Sequence, residues 1–144
     1  MKHFLFALVL PLLLVACENG AQKIADKHDE VMVVHDEAMA KMDQIYDQIS
    51  DLRVRQQSLT GIDSIVRPED MAQVLDAIVA LQRADDAMMD WMAAYKRPEK
   101  DADVEESLAY LEEQMKEIEQ VAVDIDASLE NGAAVLEKFK HIRK

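Results

Sequence analysis

His28-Asp29-Glu30-Val31-Met32 is echoed seven residues later by His35-Asp36-Glu37-Ala38-Met39. Seven residues make about two turns of an α-helix, so the echo repeats one pattern of faces. His28, His35, Met42 and Ile49 recur at one heptad position. Val31, Ala38, Ile45 and Leu52 recur three residues on, and Met32, Met39 and Tyr46 four residues on. Polar residues, chiefly acids and amides, fill the two positions after each first one. A wide apolar stripe with a polar back defines a long amphipathic helix. Neither Gly nor Pro interrupts it from Lys23 to about Thr60, and Gly61 is a natural stop.

Toward the C-terminus the pattern continues after a connector, Ile62 to Arg67. Pro68-Glu69-Asp70 reads as a second helix's first turn, with proline preset for that place and acids at the positive dipole end. Its stripe is Met71, Val74 or Leu75, Ile78, Leu81, Met88, Met92 and Tyr95, with Trp91 beside it and Asp85 interrupting it. Pro98 ends the helix within a charged loop, Lys96 to Asp101. Asp103 with Glu106 three residues on caps a third helix. That helix carries Val104, Leu108, Leu111, Met115, Ile118, Ala122, Ile125 and Leu129. Asn131-Gly132 predicts a break. Beyond it Val135, Leu136, Phe139 and Ile142 alternate with basic Lys138, Lys140, Arg143 and Lys144. No strand pattern or glycine-rich loop occurs. The expectation is an all-α, elongated antiparallel three-helix bundle over residues 23–144, with coiled-coil-like heptads and a short C-terminal helix. A first helix of about 36 residues would be about 54 Å long, which makes the domain a rod.

Toward the N-terminus, Lys2 precedes an apolar run from Phe4 to Val15 broken only by Pro11, and Leu14-Val15-Ala16 leads into Cys17. This order of charge, apolar length, small residue and cysteine resembles the signal peptide and lipobox of bacterial lipoproteins. The resemblance implies removal of residues 1–16, lipidation of Cys17, and a short linker within residues 17–22. An apolar run of about twelve residues falls short of the roughly 20 that a bilayer core needs. Cys17 is the only cysteine, so no intrachain disulfide can form. The formal charge of −13 disfavours nucleic acid and anionic headgroups as partners. Glu18, rather than Asp, follows the anchor, which by the familiar sorting rule favours the outer membrane, at its periplasmic face or the cell surface.

Three further pieces, His35-Asp36-Glu37-Ala38-Met39, Ala87-Met88-Met89-Asp90-Trp91-Met92 and Tyr110-Leu111-Glu112-Glu113-Gln114, touch all three helices. On them the chain resembles a group of small bacterial lipoproteins, some labelled "viral A-type inclusion protein repeat". That resemblance implies a lipoprotein and a helical bundle and brings no catalytic residues.

Sulfur and imidazole at one end of the rod are the strongest chemical signal. With a short connector, residues of the first two helices whose numbers sum to about 127 lie level. His35 then faces Met92, Met39 faces Met88, Met32 lies near Tyr95, and Trp91 approaches Tyr110. Thioether and imidazole suit copper(I) or haem iron, so His35, Met32, Met39, Met88 and Met92 are the candidate ligands. Methionines filling gaps between helices are the plainer explanation, and no cofactor is expected on that reading. No acid stands three residues before His28, His35 or His141, so the di-iron Glu-x-x-His pairing is missing. Leu129 stands where a calcium loop needs glycine, and no strand-turn-helix elbow exposes a serine. An enzyme is therefore not expected. The basic tail resembles, in its final Arg143-Lys144, the ending of the short helical lipoprotein that ties the outer membrane to peptidoglycan, which implies Lys144 as a tether. The expectation is a membrane-anchored envelope lipoprotein acting as a non-catalytic interaction or structural module. Its partner would be an unidentified envelope protein or a second copy of the chain.

Overall fold

The computed structural model describes residues 10–60 and 67–141, with side chains from Gly20 onward. Among these residues there are four helices and no strand: α1 (Leu10–Met39), α2 (Met42–Thr60), α3 (Pro68–Ala94) and α4 (Val104–Lys138). The chain is a packed all-helical bundle in which α4 touches each of the other three. None of the described helices is long and apolar enough to cross a membrane. Residues 18–22, read from sequence as part of a linker, lie within α1. The Gly61 stop and the tether residue Lys144 lie outside the described residues.

The single long first helix is two helices, divided at Ala40-Lys41 without Gly or Pro. There Lys41 N donates to Ala38 O and Gln44 N to Lys41 O, each at 3.0 Å, one residue tighter than the α-helical bond. The heptad explains the pinch. A straight α-helix drifts about 20° per seven-residue repeat away from its partner. A turn of about 3.0 residues recovers roughly 20° per residue. The stripe accordingly stays in register across the division: Val31, Ile45 and Leu52 are fully buried and Ala38 is 1% exposed. Lys41 at the joint donates to Asp126 of α4 at 2.6 Å.

Local chemistry sets the other ends. Pro68 opens α3 with Glu69 and Asp70 in its first turn. Asp103 caps α4 by accepting from Glu106 N at 3.0 Å. Apart from Leu129, the core of α4 falls on two heptad positions. Leu111, Ile118 and Ile125 occupy one of them, and Ser107, Gln114, Val121, Ser128 and Val135 the other.

The short C-terminal helix expected after Asn131-Gly132 is not a separate element, because α4 runs unbroken to Lys138. Gly132 sits seven residues beyond Ile125, in the core position. A Cβ there would lie 2.1 Å from Gln48 Oε1 and 3.2 Å from Leu81 Cδ1. The glycine admits a close approach of α2 and α3 to α4. Its cost of about 1 kcal/mol in a helix is offset by the packing of buried Val135 and Phe139 beyond it.

An ionic clamp ties the start of α3 to the end of α4. Arg67 donates through Nε to Asp70 Oδ2 at 3.0 Å and through Nη2 to Oδ1 at 3.2 Å. Lys138 Nζ donates to Asp70 Oδ1 at 2.9 Å and to Gln73 Oε1 at 2.6 Å. These bonds, from Lys138 first and Arg67 second, hold the Asp70 carboxyl below its ordinary 3.8. A lowered folded value contributes stability that is fully present above 3.8 and fades as pH falls through that lowered value. Asp70→Asn is therefore expected to unfold at lower temperature than the parent at neutral pH, with the gap closing on acidification below about 4. Thermal melts of both chains from neutral to acid pH check this, and a gap independent of pH would remove the clamp as its source.

Candidate functional site

Where the second half of α1 meets the loop joining α3 to α4, rings from three helices form a layer. Tyr95 closes α3 and stands at its centre. It stacks on Trp91 at 4.9 Å, on His28 at 6.0 Å and on Tyr110 at 6.2 Å between centroids. His35 lies against Trp91 at 5.5 Å. Offset contacts of this kind are worth about 0.5–1.5 kcal/mol each beyond the area they bury.

The layer is also polar. Tyr95 Oη and His28 Nδ1 share a hydrogen bond of 2.6 Å. Burial, with the nearby Arg97 charge, pushes the His28 imidazole below its ordinary 6.5, while Asp29 opposes the shift. Burial and Tyr110 push the Tyr95 phenol above its ordinary 10.0, against Arg97. Near neutral pH both groups are therefore uncharged. The hydrogen bond then joins two neutral groups, and which of them donates follows the imidazole tautomer. Tyr110 Oη accepts from Lys96 N at 2.9 Å, which fixes the loop to α4. Trp91 Nε1 and Gln114 Oε1 are buried without a hydrogen-bond partner among the described residues. An open groove of about 860 Å³ lies beside the layer, between α1 and the loop.

The candidate ligands differ in burial. Met88 is fully buried in the core, whereas Met92, one turn on, is 42% exposed. Met32 and Met39 are half-buried. The ring of His35 lies against Trp91, and its Nδ1 meets Asp36 Oδ1 at 2.8 Å. Among the described residues, no three His, Cys, Asp or Glu side chains are placed to hold a metal ion. Asp85, on the inner edge of α3, accepts from Tyr46 Oη at 2.9 Å. Cys17 lies in α1 by its backbone.

The sequence did not reveal the bond between His28 and Tyr95. A constant level of 127 set Met32 beside Tyr95, but the observed pairs are His28 with Tyr95, His35 with Trp91 and Tyr46 with Asp85. Their sums drift because long side chains reach about a turn along the axis, which a single register number ignores. Arg97 was visible only as one charge in a mixed loop.

Neither a protein-family model, nor a curated protein, nor a solved structure matches the chain.

Proposed function

We propose that this chain is a lipoprotein of the bacterial cell envelope, anchored through Cys17 and acting as a non-catalytic interaction or structural module. The observation that carries the reading is the lone cysteine behind Leu14-Val15-Ala16 and a twelve-residue apolar run that starts after a lysine. The finer fold belongs to the same reading: an elongated, antiparallel bundle with coiled-coil-like seams. It is supported by the contacts of His28 with Tyr95 at one end and of Lys138 with Asp70 at the other.

The displaced titratable groups support a structural role. Asp70 is held by two cations, and His28 and Tyr95 hold each other. Structural ion pairs and hydrogen bonds displace titration in this way without any catalytic role.

Intact mass of the chain recovered from membranes tests the anchor. The expected species begins at Cys17 and carries covalent acyl mass, and Cys17→Ser is expected to remain unprocessed and unacylated. A parent chain that keeps residues 1–16, or carries no lipid, would defeat the reading.

A further inference from the structure

The groove beside the aromatic layer has a composition unlike the rest of this acidic rod. Its floor is apolar, from Ala21, Ile24 and Ala25 of α1 and Pro98 of the loop. Its rim carries both signs of charge within five residues: Arg97 and Lys100, Glu99 and Asp101. None of these four pairs with another described residue, although ion pairs and charged hydrogen bonds hold Lys27, Lys41 and Lys138 elsewhere. Gln22 and His28 complete the rim with neutral polar groups. His28 is held in place through Nδ1 by Tyr95, and the Arg97 charge is felt at both rings.

We propose that this groove seats the headgroup of an aminophospholipid, phosphate and primary ammonium together, in the membrane that holds Cys17. The phosphate lies with Arg97 and Lys100, and the ammonium with Glu99 and Asp101. Guanidinium and ammonium groups are strong donors to phosphate oxygens, and carboxylates accept readily from a primary ammonium.

Two arguments select a lipid of this class. The first is position, and it rests on the anchor reading above. Ala21, Ile24 and His28 follow Cys17 by four, seven and eleven residues within α1, the spacing of one helical face. At 1.5 Å per residue they stand about 6 to 16 Å along the axis from it. Each headgroup layer is about 5–8 Å thick, so with Cys17 at the edge of the hydrocarbon core the Ala21 end of the groove lies at headgroup level and the His28 end stands above it. The second is charge. A body of net −13 is repelled by an anionic headgroup, whereas a zwitterionic one brings no net charge and offers one partner for each sign on the rim.

Native mass spectrometry of the full lipidated chain, in mild detergent with defined phospholipids, tests the proposal. Phosphatidylethanolamine is expected to give one adduct at about ten-fold higher occupancy than phosphatidylcholine or phosphatidylglycerol, the ratio that one lost charge-assisted contact sets. Arg97→Ala with Lys100→Ala should bring the adduct down to the phosphatidylcholine level. Glu99→Gln with Asp101→Asn should erase the preference over phosphatidylglycerol. Equal occupancy for all three lipids, or adducts indifferent to both double variants, would overturn the site. Displacement by an equal concentration of soluble glycerophosphoethanolamine would overturn the membrane as its source. The denatured mass of the same sample reports the lipid on Cys17 separately, so failure of the anchor and failure of the groove are told apart.

Discussion

Leu81→Ala is expected to destabilise the chain by about 2–5 kcal/mol, because Leu81 is fully buried and its deleted methyl groups leave a cavity. Its Cδ1 lies against Gly132 of α4, which has no side chain to fill the space. For a domain of this size each kcal/mol moves the unfolding midpoint by roughly 3–5 °C, so a fall of about 6 to 25 °C is expected by circular dichroism. Leu75→Ala, six residues earlier on the same helix, is the control. Leu75 is 40% exposed, and its loss is expected to cost a small fraction as much. Equal effects at the two positions would mean that α3 does not present the Leu81 face to the core.

Trp91→Ala carries the second large effect, about 3–5 kcal/mol from the lost ring. The ring is 6% exposed and bridges His35 and Tyr95, so its removal also parts the aromatic layer into two pieces. Trp91→Phe separates shape from polarity. Phenylalanine keeps a stacking ring and deletes the indole N–H, which is buried without a partner among the described residues. Leaving such a group unbonded costs about 1–3 kcal/mol, which offsets much of the lost volume. The phenylalanine variant is therefore expected to lose less than about a third of what the alanine variant loses. Chemical denaturation followed by far-ultraviolet circular dichroism reads both. A phenylalanine variant as unstable as the alanine one would show that the N–H is satisfied in solution.

Much of the bundle was legible because helical burial has a period. Val31, Ala38, Ile45 and Leu52 form a stripe by sequence and are the buried line of α1 and α2. The pinch at Ala40-Lys41 was not legible, since it answers the drift between helix and heptad and not any residue in the stretch. In α3 the alternatives Val74 or Leu75 resolve toward Val74, which is fully buried. Ala77 and Ala84 are also inside, and a stripe drawn through large residues passes over them. Gly132 misled for the opposite reason: its propensity marks a break, but its place seven residues after Ile125 marks core. Tertiary approach decided between the two. The polar half of the aromatic layer was hidden because a bond between His28 and Tyr95 joins residues 67 apart. No local spacing encodes it.

The joint at Ala40-Lys41 has a mechanical consequence. Two helices in series meet there through one tight turn, and under tension such a turn gives way before a full helix does. Helix α4 passes that level without interruption, from Val104 against Gly20 to Gly132 against Gln48, with Asp126 holding Lys41 beside the turn. It acts as a splint. A pull between the two ends of the bundle is shared along the contacts that α4 makes with α1 and α2, and the weakest link is loaded in parallel with the longest described helix.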